Sequence, residues 1–251
     1  MKKIIAVANQ KGGVGKTTTA INLSCSLAIR NMKTLVIDLD PQGMATSGLG
    51  RTKETEKGIY QVIMNGQMID QCIFPTKQEN LYLCPASLEL AGIEAELFPK
   101  QKREKLLKES LSKMRSPFDF IFIDCPPSLG YLTINALTAA DSVLIPIQCE
   151  YFCMEGIPDL LQTLDEIRTY LNPSLQIEGI LFTMFDERTN LSKQVAEEIK
   201  KSLKEIIYET IIPRTIKIAE APSFGLPIPL YDVKSKGAQA YLNLAQEMLS
   251  R

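Results

Sequence analysis

The feature that most constrains this chain is a glycine-rich loop between a predicted strand and a predicted helix near the N-terminus. Residues 4–8 form a short apolar run typical of a buried parallel strand, and residues 17–29 have apolar side chains at helical spacing. The loop between them contains Gly12, Gly13 and Gly15, which carry no side chain where the backbone turns. Because loop N–H groups and a helix N-terminus converge here, the segment predicts a phosphate-binding site.

Two residues after the last of these glycines predict a nucleotide with a metal ion. Lys16 is expected to reach the β- and γ-phosphates, and the Thr17 hydroxyl is expected to ligate Mg²⁺. The usual loop pattern has a glycine at the position of Gln10, and here an additional lysine follows it at Lys11. Lys11 is either a solvated loop charge or a second lysine that contacts phosphate. The loop residues expected to bind the nucleotide are Lys11, Gly12, Gly13, Val14, Gly15, Lys16, Thr17 and Thr18.

Carboxylates follow two further strands that are predicted to be buried. Asp38 lies near the end of the strand at 33–39 and Asp40 follows it, while Asp124 ends the strand at 118–124. The carboxyl ends of parallel strands are where α/β proteins place their ligands. Asp40 is therefore expected to orient the attacking water, and Asp38 and Asp124 are expected to support Mg²⁺ through bound water. The alternative is that these aspartates only cap turns.

Composition limits the classes of function. The chain has 251 residues, 45% apolar and 23% charged, with a net charge of −1, so any affinity for nucleic acid must come from a local patch. It contains no histidine, which excludes histidine-based catalysis. Six scattered cysteines predict a reducing, cytoplasmic compartment. No apolar run is long enough for a membrane span, and the N-terminus does not have the pattern of a signal peptide, so no membrane partner is expected.

Strand and helix patterns alternate along the rest of the chain. Strands are predicted at 81–85, 142–148, 179–185 and 206–213, helices at 59–65, 86–97, 100–114, 156–171, 191–206 and 234–249, and a loop at 44–57. This alternation predicts an α/β fold with a doubly wound, mostly parallel sheet flanked by helices, in a single domain of residues 1–251. Pro146 interrupts one strand pattern and predicts a position at a sheet edge or a strand end.

Several sequence blocks carry a resemblance to a known family. They are NQKGGVGKTTT at 9–19, DLDPQG at 38–43, ATSGLG at 45–50, FIDCPPSLG at 122–130, TINALTAADSV at 133–143, PIQCEY at 146–151, ERTNL at 187–191, IPR at 212–214 and AEAPS at 219–223. The loop resembles the deviant Walker A motif of the ParA/MinD superfamily of P-loop NTPases. The later blocks resemble the ParA/Soj partitioning ATPases.

The resemblance implies a cycle that uses ATP and Mg²⁺. ATP drives a sandwich homodimer in which Lys11 reaches the partner's nucleotide and Gly12 lies where the subunits approach. The dimer binds double-stranded DNA without sequence preference on the nucleoid, and a ParB-type centromere-binding protein stimulates slow hydrolysis. The implied catalytic residues are Lys11, Lys16 and Asp40, and the implied adenine-site residues are Met184, Pro213 and Thr215.

The resemblance also implies basic residues on one face of the dimer that contact DNA. Arg188 is the best positional match, Lys217 is next, and Arg214 and Lys193 follow. The alternative for each is ordinary surface charge.

Three other functions compete with partitioning. A MinD-like membrane-associated ATPase needs a C-terminal amphipathic helix with a basic face, but residues 238–251 have a single cation, Arg251, opposed by Glu247. A metabolic enzyme on the same fold, either an ATP-dependent ligase or a reductase with an iron–sulfur cluster, would turn over a small substrate without DNA. A regulatory or positioning role with another cargo is the third.

Overall fold

The computed structural model describes residues 3–53, 56–150, 153–203 and 206–251. Within them the strands are β1 (Lys3–Val7), β2 (Thr34–Asp38), β3 (Phe74–Pro75), β4 (Leu81–Cys84), β5 (Phe120–Asp124), β6 (Ser142–Gln148) and β7 (Gln176–Thr183). The helices are α1 (Lys16–Ile29), α2 (Met44–Gly48), α3 (Ile59–Asn65), α4 (Ile93–Leu97), α5 (Leu106–Ser112), α6 (Tyr131–Ala139), α7 (Cys153–Tyr170), α8 (Asn190–Leu203), α9 (Ile216–Glu220), α10 (Ile228–Tyr231) and α11 (Lys236–Ser250). Short 3₁₀ turns lie at Ile69–Cys72, Leu88–Gly92 and Ala221–Phe224.

The seven strands form one sheet in the order β3-β4-β2-β5-β1-β6-β7. Each neighbouring pair is parallel except β3 and β4. Successive side chains of a strand point to opposite faces, so Ile5 and Val7 of β1 pack with α1 and α11 while Ala6 packs in the cluster that includes α3, α5, α6, α7 and α8. Both faces are buried, and the predicted doubly wound, mostly parallel α/β fold is confirmed. Among the described helices, none has the length and apolar character needed to cross a membrane.

Three predicted elements in the first half of the chain differ in the structure. The predicted helix at 86–97 is a 3₁₀ turn at Leu88–Gly92 followed by the short α4. The predicted loop at 44–57 begins with α2, while Glu54 and Thr55 lie outside the described residues. The predicted helix at 100–114 is confined to α5, because Lys102 has a left-handed φ of 54°. Asn135 then ties down the start of α5: its amide donates to the carbonyl of Arg103 at 2.7 Å and its Oδ1 accepts from the Leu107 N–H at 3.2 Å.

The last predicted strand, at 206–213, is also wrong as a continuous strand. Its bridges are isolated: Ile180 of β7 pairs with Ile207, and Phe185, which follows β7, pairs with Pro213. The N–H groups of Tyr208 and Ile212 also donate to β7 carbonyls, those of Ile180 and Phe182, each at 2.9 Å. The Glu247 carboxylate of α11 takes the N–H groups of Glu209 and Thr210 at 2.8 and 2.9 Å, so these donors are not available to a ladder. The end of the preceding predicted helix, at Lys204 and Glu205, lies outside the described residues.

Pro146 lies in an inner strand, not at a sheet edge, since β6 has β1 on one side and β7 on the other. The pairing of β1 with β6 ends at Val7 and Leu144, before the proline is reached. The missing N–H of Pro146 therefore removes no bond to β1, and its carbonyl accepts a hydrogen bond from the Asn9 side chain at 2.8 Å. Pro146 therefore lies beside the glycine-rich loop that follows β1, and not beside β1 itself.

Two glycines bring the segment after α2 against the segment before α10. Gly50 and Gly225 have left-handed φ values of 78° and 62°. A Cβ on Gly225 would lie 2.7 Å from the Cα of Gly50, and a Cβ on Gly50 would lie 3.1 Å from the carbonyl oxygen of Gly225. The two backbones approach this closely because neither residue has a side chain.

We expect Gly225→Ala to destabilise the protein more than Gly66→Ala. Both positions have left-handed φ, 62° and 66°, so each substitution should cost about 1–2 kcal/mol in backbone strain. A Cβ at Gly66 meets nothing within 4 Å, whereas at Gly225 it meets the Gly50 backbone. Such overpacking adds about 1–3 kcal/mol. Urea unfolding measures the loss in free energy of unfolding for both variants. Equal losses would show that the Gly50 segment moves to make room for the new Cβ at no cost in free energy.

Candidate nucleotide-binding site

Strand register brings the predicted phosphate loop and two of the predicted aspartates together at the carboxyl ends of the parallel strands. Both β1 and β2 pair in parallel with β5, and Asp124 at the end of β5 has Val7 and Asp38 as its register partners. The chain leaves β1 directly into the glycine-rich loop. The loop and the carboxylates therefore meet where the strands end, as the sequence predicts.

The loop turns through glycines and is supported from below by a threonine. Gly13 and Gly15 have φ values of 75° and 87°, and Gly15 is the N-cap of α1. The Thr183 hydroxyl at the end of β7 donates to the carbonyl of Val14 at 2.7 Å. A Cβ at Gly13 would meet nothing within 4 Å, so open space lies beside the loop at this point. Loop N–H groups and the N-terminus of α1 give this space the character of an anion site.

Lys16 begins α1 and is 6% exposed. Its ammonium donates to the carbonyl of Lys11 at 3.1 Å, which closes the loop on itself. Burial lowers the pKa of Lys16, and the nearby carboxylates of Asp124 and Asp40 act in the opposite direction. The loop thus holds a buried cation that has carboxylates near it and stands beside open space suited to phosphate.

Asp124 differs from the other carboxylates near the loop in the small number of protein donors that reach it. It is fully buried, and neither oxygen has a hydrogen bond of normal geometry to a described residue. Burial raises its pKa well above the usual range, as do the charges of Asp38 and Asp40, while the Thr17 hydroxyl and the charge of Lys16 act to lower it. Carboxylate oxygens that lack a protein hydrogen-bond donor, together with a hydroxyl, are hard oxygen ligands of the kind that Mg²⁺ prefers. Thr17 and Asp124 therefore fit a magnesium ion.

Asp38 differs because its carboxylate is already engaged by donors of the protein. Its Oδ1 accepts from the Asp40 N–H at 3.2 Å, and its Oδ2 accepts from both the N–H and the hydroxyl of Thr46 at 2.7 Å. Burial raises the pKa of Asp38 to about 6, and the bonds from Thr46 and Asp40 oppose this rise. A role of Asp38 at the metal stays a prediction, but these bonds fit a role in fixing the local backbone better.

Asp40 stands at the cavity on a short turn. Its Oδ1 accepts from the Gln42 N–H at 2.8 Å, and its carbonyl accepts from the Gly43 N–H at 2.8 Å. Gly43 has a left-handed φ of 60°. The side chain is 9% exposed and lines the same cavity as Lys16 and Thr17. This is a position from which a carboxylate can hold a water against the loop.

The two predicted ends of the nucleotide site line one cavity of about 1060 Å³. Its walls include Lys16, Thr17 and Thr18 at the phosphate end and Met184, Pro213 and Thr215 at the predicted adenine end. Drug-sized ligands occupy pockets of about 300–1,000 Å³, so a nucleotide fits within this volume. Apolar side chains of α1, α9 and the Ala221–Phe224 turn continue the wall beyond these residues.

Lys11, Gly12 and Val14 are not among the described residues that line this cavity. The Lys11 ammonium lies 3.0 Å from Glu150 Oε2, in an ion pair whose side chains are 37% and 48% exposed. The other carboxylate oxygen of Glu150 accepts from the Gln148 amide at 2.6 Å. The additional lysine of the loop is therefore bound at the surface, in a pair too exposed to be strong.

The residues predicted to contact DNA do not form a row of unpaired cations. Arg188 makes a two-pronged ion pair with Asp186, through Nε at 2.9 Å and Nη2 at 2.7 Å, and this pair lowers the pKa of Asp186. Arg188 and Arg214 also line the cavity. The Lys217 ammonium lies 3.0 Å from Asp232 Oδ2, in an ion pair, and Lys193 is exposed on α8.

Sequence reasoning missed several residues that shape the site. Thr183 supports the loop, Thr46 binds Asp38, and Glu150 binds Lys11. Asn9 joins the loop to β6, because its amide donates to Pro146 and its Oδ1 accepts from the Lys11 N–H at 3.0 Å. Thr183 is the one polar residue inside the apolar pattern at 179–185, which is a sequence signal, but the partners of all these residues depend on the fold.

The sheet, the loop and the cavity define a nucleotide-binding P-loop protein, and the family described as AAA domain matches residues 2–177. The sporulation initiation inhibitor protein Soj of Bacillus subtilis is 52% identical over 249 residues, covering 99% of this chain and 98% of Soj. The chromosome partitioning protein ParA of Myxococcus xanthus is 50% identical over 250 residues, covering 99% and 88%. The chain therefore belongs to the ParA/Soj family of chromosome-partitioning ATPases.

A solved structure shares the fold at lower identity. Cobyrinic acid a,c-diamide synthase from Mycobacterium smegmatis, with bound ADP and magnesium, has a TM-score of 0.85 and 36% identity, covering 99% of this chain and 94% of that chain. The predicted family and fold are confirmed, whereas the roles of individual site residues stay predictions.

We expect Asp124→Asn to stabilise the nucleotide-free protein at neutral pH. The pKa of Asp124 is raised in the folded state, so at pH values above the ordinary aspartate pKa the folded state binds more protons than the unfolded state. The free energy of unfolding therefore falls as the pH rises. A tenfold difference in proton affinity between the folded and unfolded states corresponds to about 1.4 kcal/mol. The gain measured by urea unfolding should therefore be small near pH 4 and grow toward pH 8.

Asp159→Asn is the control, because Asp159 is exposed on α7. It should leave the free energy of unfolding unchanged at both pH values. A loss of stability in Asp124→Asn at pH 8 would mean that the charged carboxylate is well paired in the folded protein.

Proposed function

We propose that residues 1–251 form a single ATPase domain that partitions a chromosome or plasmid. Its ATP-bound homodimer binds double-stranded DNA non-specifically on the nucleoid, and slow hydrolysis, stimulated by a ParB-type protein, releases it. The observation that carries the nucleotide part of the proposal is the cavity that joins Lys16 and Asp40 to Met184 and Pro213. The high identity to Soj and ParA over nearly the whole chain supports partitioning.

Each residue at the phosphate end has a defined task in this proposal. Mg²⁺, bound with ATP, neutralises charge on the β- and γ-phosphates. Lys16 contacts the same phosphates, and Thr17 and Asp124 hold the metal, Asp124 through water. Asp40 orients the attacking water, which the turn at Gln42 and Gly43 allows because it presents the carboxylate to the cavity.

Lys11 has its task in the dimer. In the single chain its ammonium is paired with Glu150, while its carbonyl accepts the bond from Lys16. Exposed ion pairs contribute only about 0.2–1 kcal/mol, so the pair with Glu150 is readily exchanged for a phosphate of the partner's nucleotide. Gly12 offers backbone without a side chain at the point where the two loops approach each other.

ATP-dependent DNA binding tests the whole proposal. We expect a gel-shift series to give a shifted complex with ATP, and none with ADP or without nucleotide, and the complex should weaken steeply with salt. Asp40→Ala should trap the DNA-bound dimer because its residual hydrolysis is too slow to reset it, while Lys16→Ala should abolish ATP binding. Hydrolysis by Asp40→Ala at the wild-type rate would contradict the role given to Asp40.

Charge reversal separates a DNA contact from general charge. We expect Arg188→Glu to reduce DNA binding while ATP binding and ATP-driven dimerisation persist. Lys108→Glu is the matched control, because Lys108 is exposed on α5 and carries the same change in charge. Since Arg188 also lines the nucleotide cavity, ATP affinity is measured on both variants. Loss of dimerisation together with DNA binding would contradict a direct contact.

The competing functions have their own tests. The apolar side of α11, including Tyr241, Leu244 and Met248, is buried in the cluster that also contains Leu23 of α1, so it is not available to a membrane. ATP-dependent pelleting with vesicles would nevertheless favour the MinD-like alternative.

The name of the M. smegmatis protein makes a ligase the other candidate. Turnover of a small substrate without DNA would favour it, and an absorbing cofactor would favour the reductase.

A further inference from the structure

We infer that Thr46 is a positioning residue for ATP hydrolysis, which acts through Asp38 to fix the backbone of Asp40 at the nucleotide cavity. The inference rests on the proposed function, in which Asp40 orients the attacking water. It also gives Asp38 a different task from the metal support that the sequence predicts.

A buried relay of hydrogen bonds leads from the end of β4 to Asp40. The Ala86 N–H donates to the Thr46 hydroxyl oxygen at 2.9 Å, and that hydroxyl lies 2.7 Å from Asp38 Oδ2. The hydroxyl proton points at the carboxylate, because the hydroxyl oxygen already accepts from Ala86 and the carboxylate is the acceptor on its other side; both residues are completely buried. On the other side of the carboxylate, Oδ1 accepts from the Asp40 N–H at 3.2 Å.

The relay fixes both ends of the segment that carries Asp40. The Thr46 N–H donates to Asp38 Oδ2 at 2.7 Å, so Asp38 holds α2 as well as the backbone of Asp40. Between these anchor points the chain turns at Gly43, and Asp40 accepts from Gln42. Hydrogen bonds to a charged acceptor are among the stronger ones, and displacement of a catalytic group by 1 Å can cost about 10²-fold in rate.

The same bonds leave Asp38 with little capacity for a cation. Three protein donors bind its carboxylate, whereas the oxygens of Asp124 have no hydrogen bond of normal geometry within the described part of the chain. The two tasks predict different defects. A residue that positions Asp40 affects turnover, while a residue that holds the metal affects the affinity for the nucleotide–metal complex.

The test compares full-length Thr46→Val, which loses the hydroxyl at nearly constant shape, with Thr46→Ser, which keeps it. Single-turnover hydrolysis should be about 10–100-fold slower in Thr46→Val, as for a misplaced catalytic group, with an unchanged Kd for ATP and Mg²⁺. Thr46→Ser should recover most of the rate. Thr138→Val is the control, because Thr138 is buried with a hydroxyl that has no hydrogen-bond partner among the described residues, and it should hydrolyse at the wild-type rate.

A double-mutant cycle with Asp40→Ala identifies the path. If Thr46 acts through Asp40, Thr46→Val causes no further loss of rate in the Asp40→Ala background. Additive losses, a changed Kd with an unchanged rate, or equal rates for Thr46→Val and Thr46→Ser would each overturn the inference. If Thr46→Val does not fold, Thr46→Cys, whose thiol is a weak donor, replaces it in the cycle. Wild-type hydrolysis by Asp40→Ala alone would instead overturn the role of Asp40 in the proposed function.

Discussion

The site depends on the parallel pairing of β1 and β2 with the strand between them, β5. This register sets Val7, Asp38 and Asp124 side by side at one edge of the sheet. A shift by one residue would turn each side chain of a strand to the opposite face, and both faces are packed against helices. The apolar side chains along these strands therefore hold the geometry of the site in place as well as stabilising the core. Buried carboxylates are unfavourable, and the packing of the sheet compensates for their cost.

The sequence predicts most of this arrangement because the strong signals are local. Apolar runs mark β1, β2 and β5, and the glycines and Lys16 mark the loop. The errors arise where tertiary contacts replace local preferences. Asn135 and a left-handed Lys102 shorten the helix at 100–114, and Glu247 takes donors that a strand at 206–213 would need.

The same distinction holds within the site. Residue types and their order predict Lys16, Thr17 and Asp124, because phosphate and magnesium chemistry restricts the choice. They do not distinguish the surroundings of Asp38 and Asp124, which both end buried strands. The difference lies in the donors that reach each carboxylate. Thr46 and the Asp40 backbone bind Asp38, whereas among the described residues no donor makes a hydrogen bond of normal geometry to Asp124. No periodicity in the sequence reports such partners.

The contact between Gly50 and Gly225 has a mechanical consequence for the cavity. The segments that it joins carry adjoining parts of the cavity wall, with Ser47 and Gly48 on α2 and Pro222 and Ser223 on the turn before Gly225. No side chain lies between the two backbones, so no rotamer change can bring these segments closer together. The two backbones are already in contact, so α2 can move away from the turn but cannot move closer to it. Any tightening of the cavity around a bound nucleotide must therefore come from its other walls, at the phosphate loop or at Met184 and Pro213.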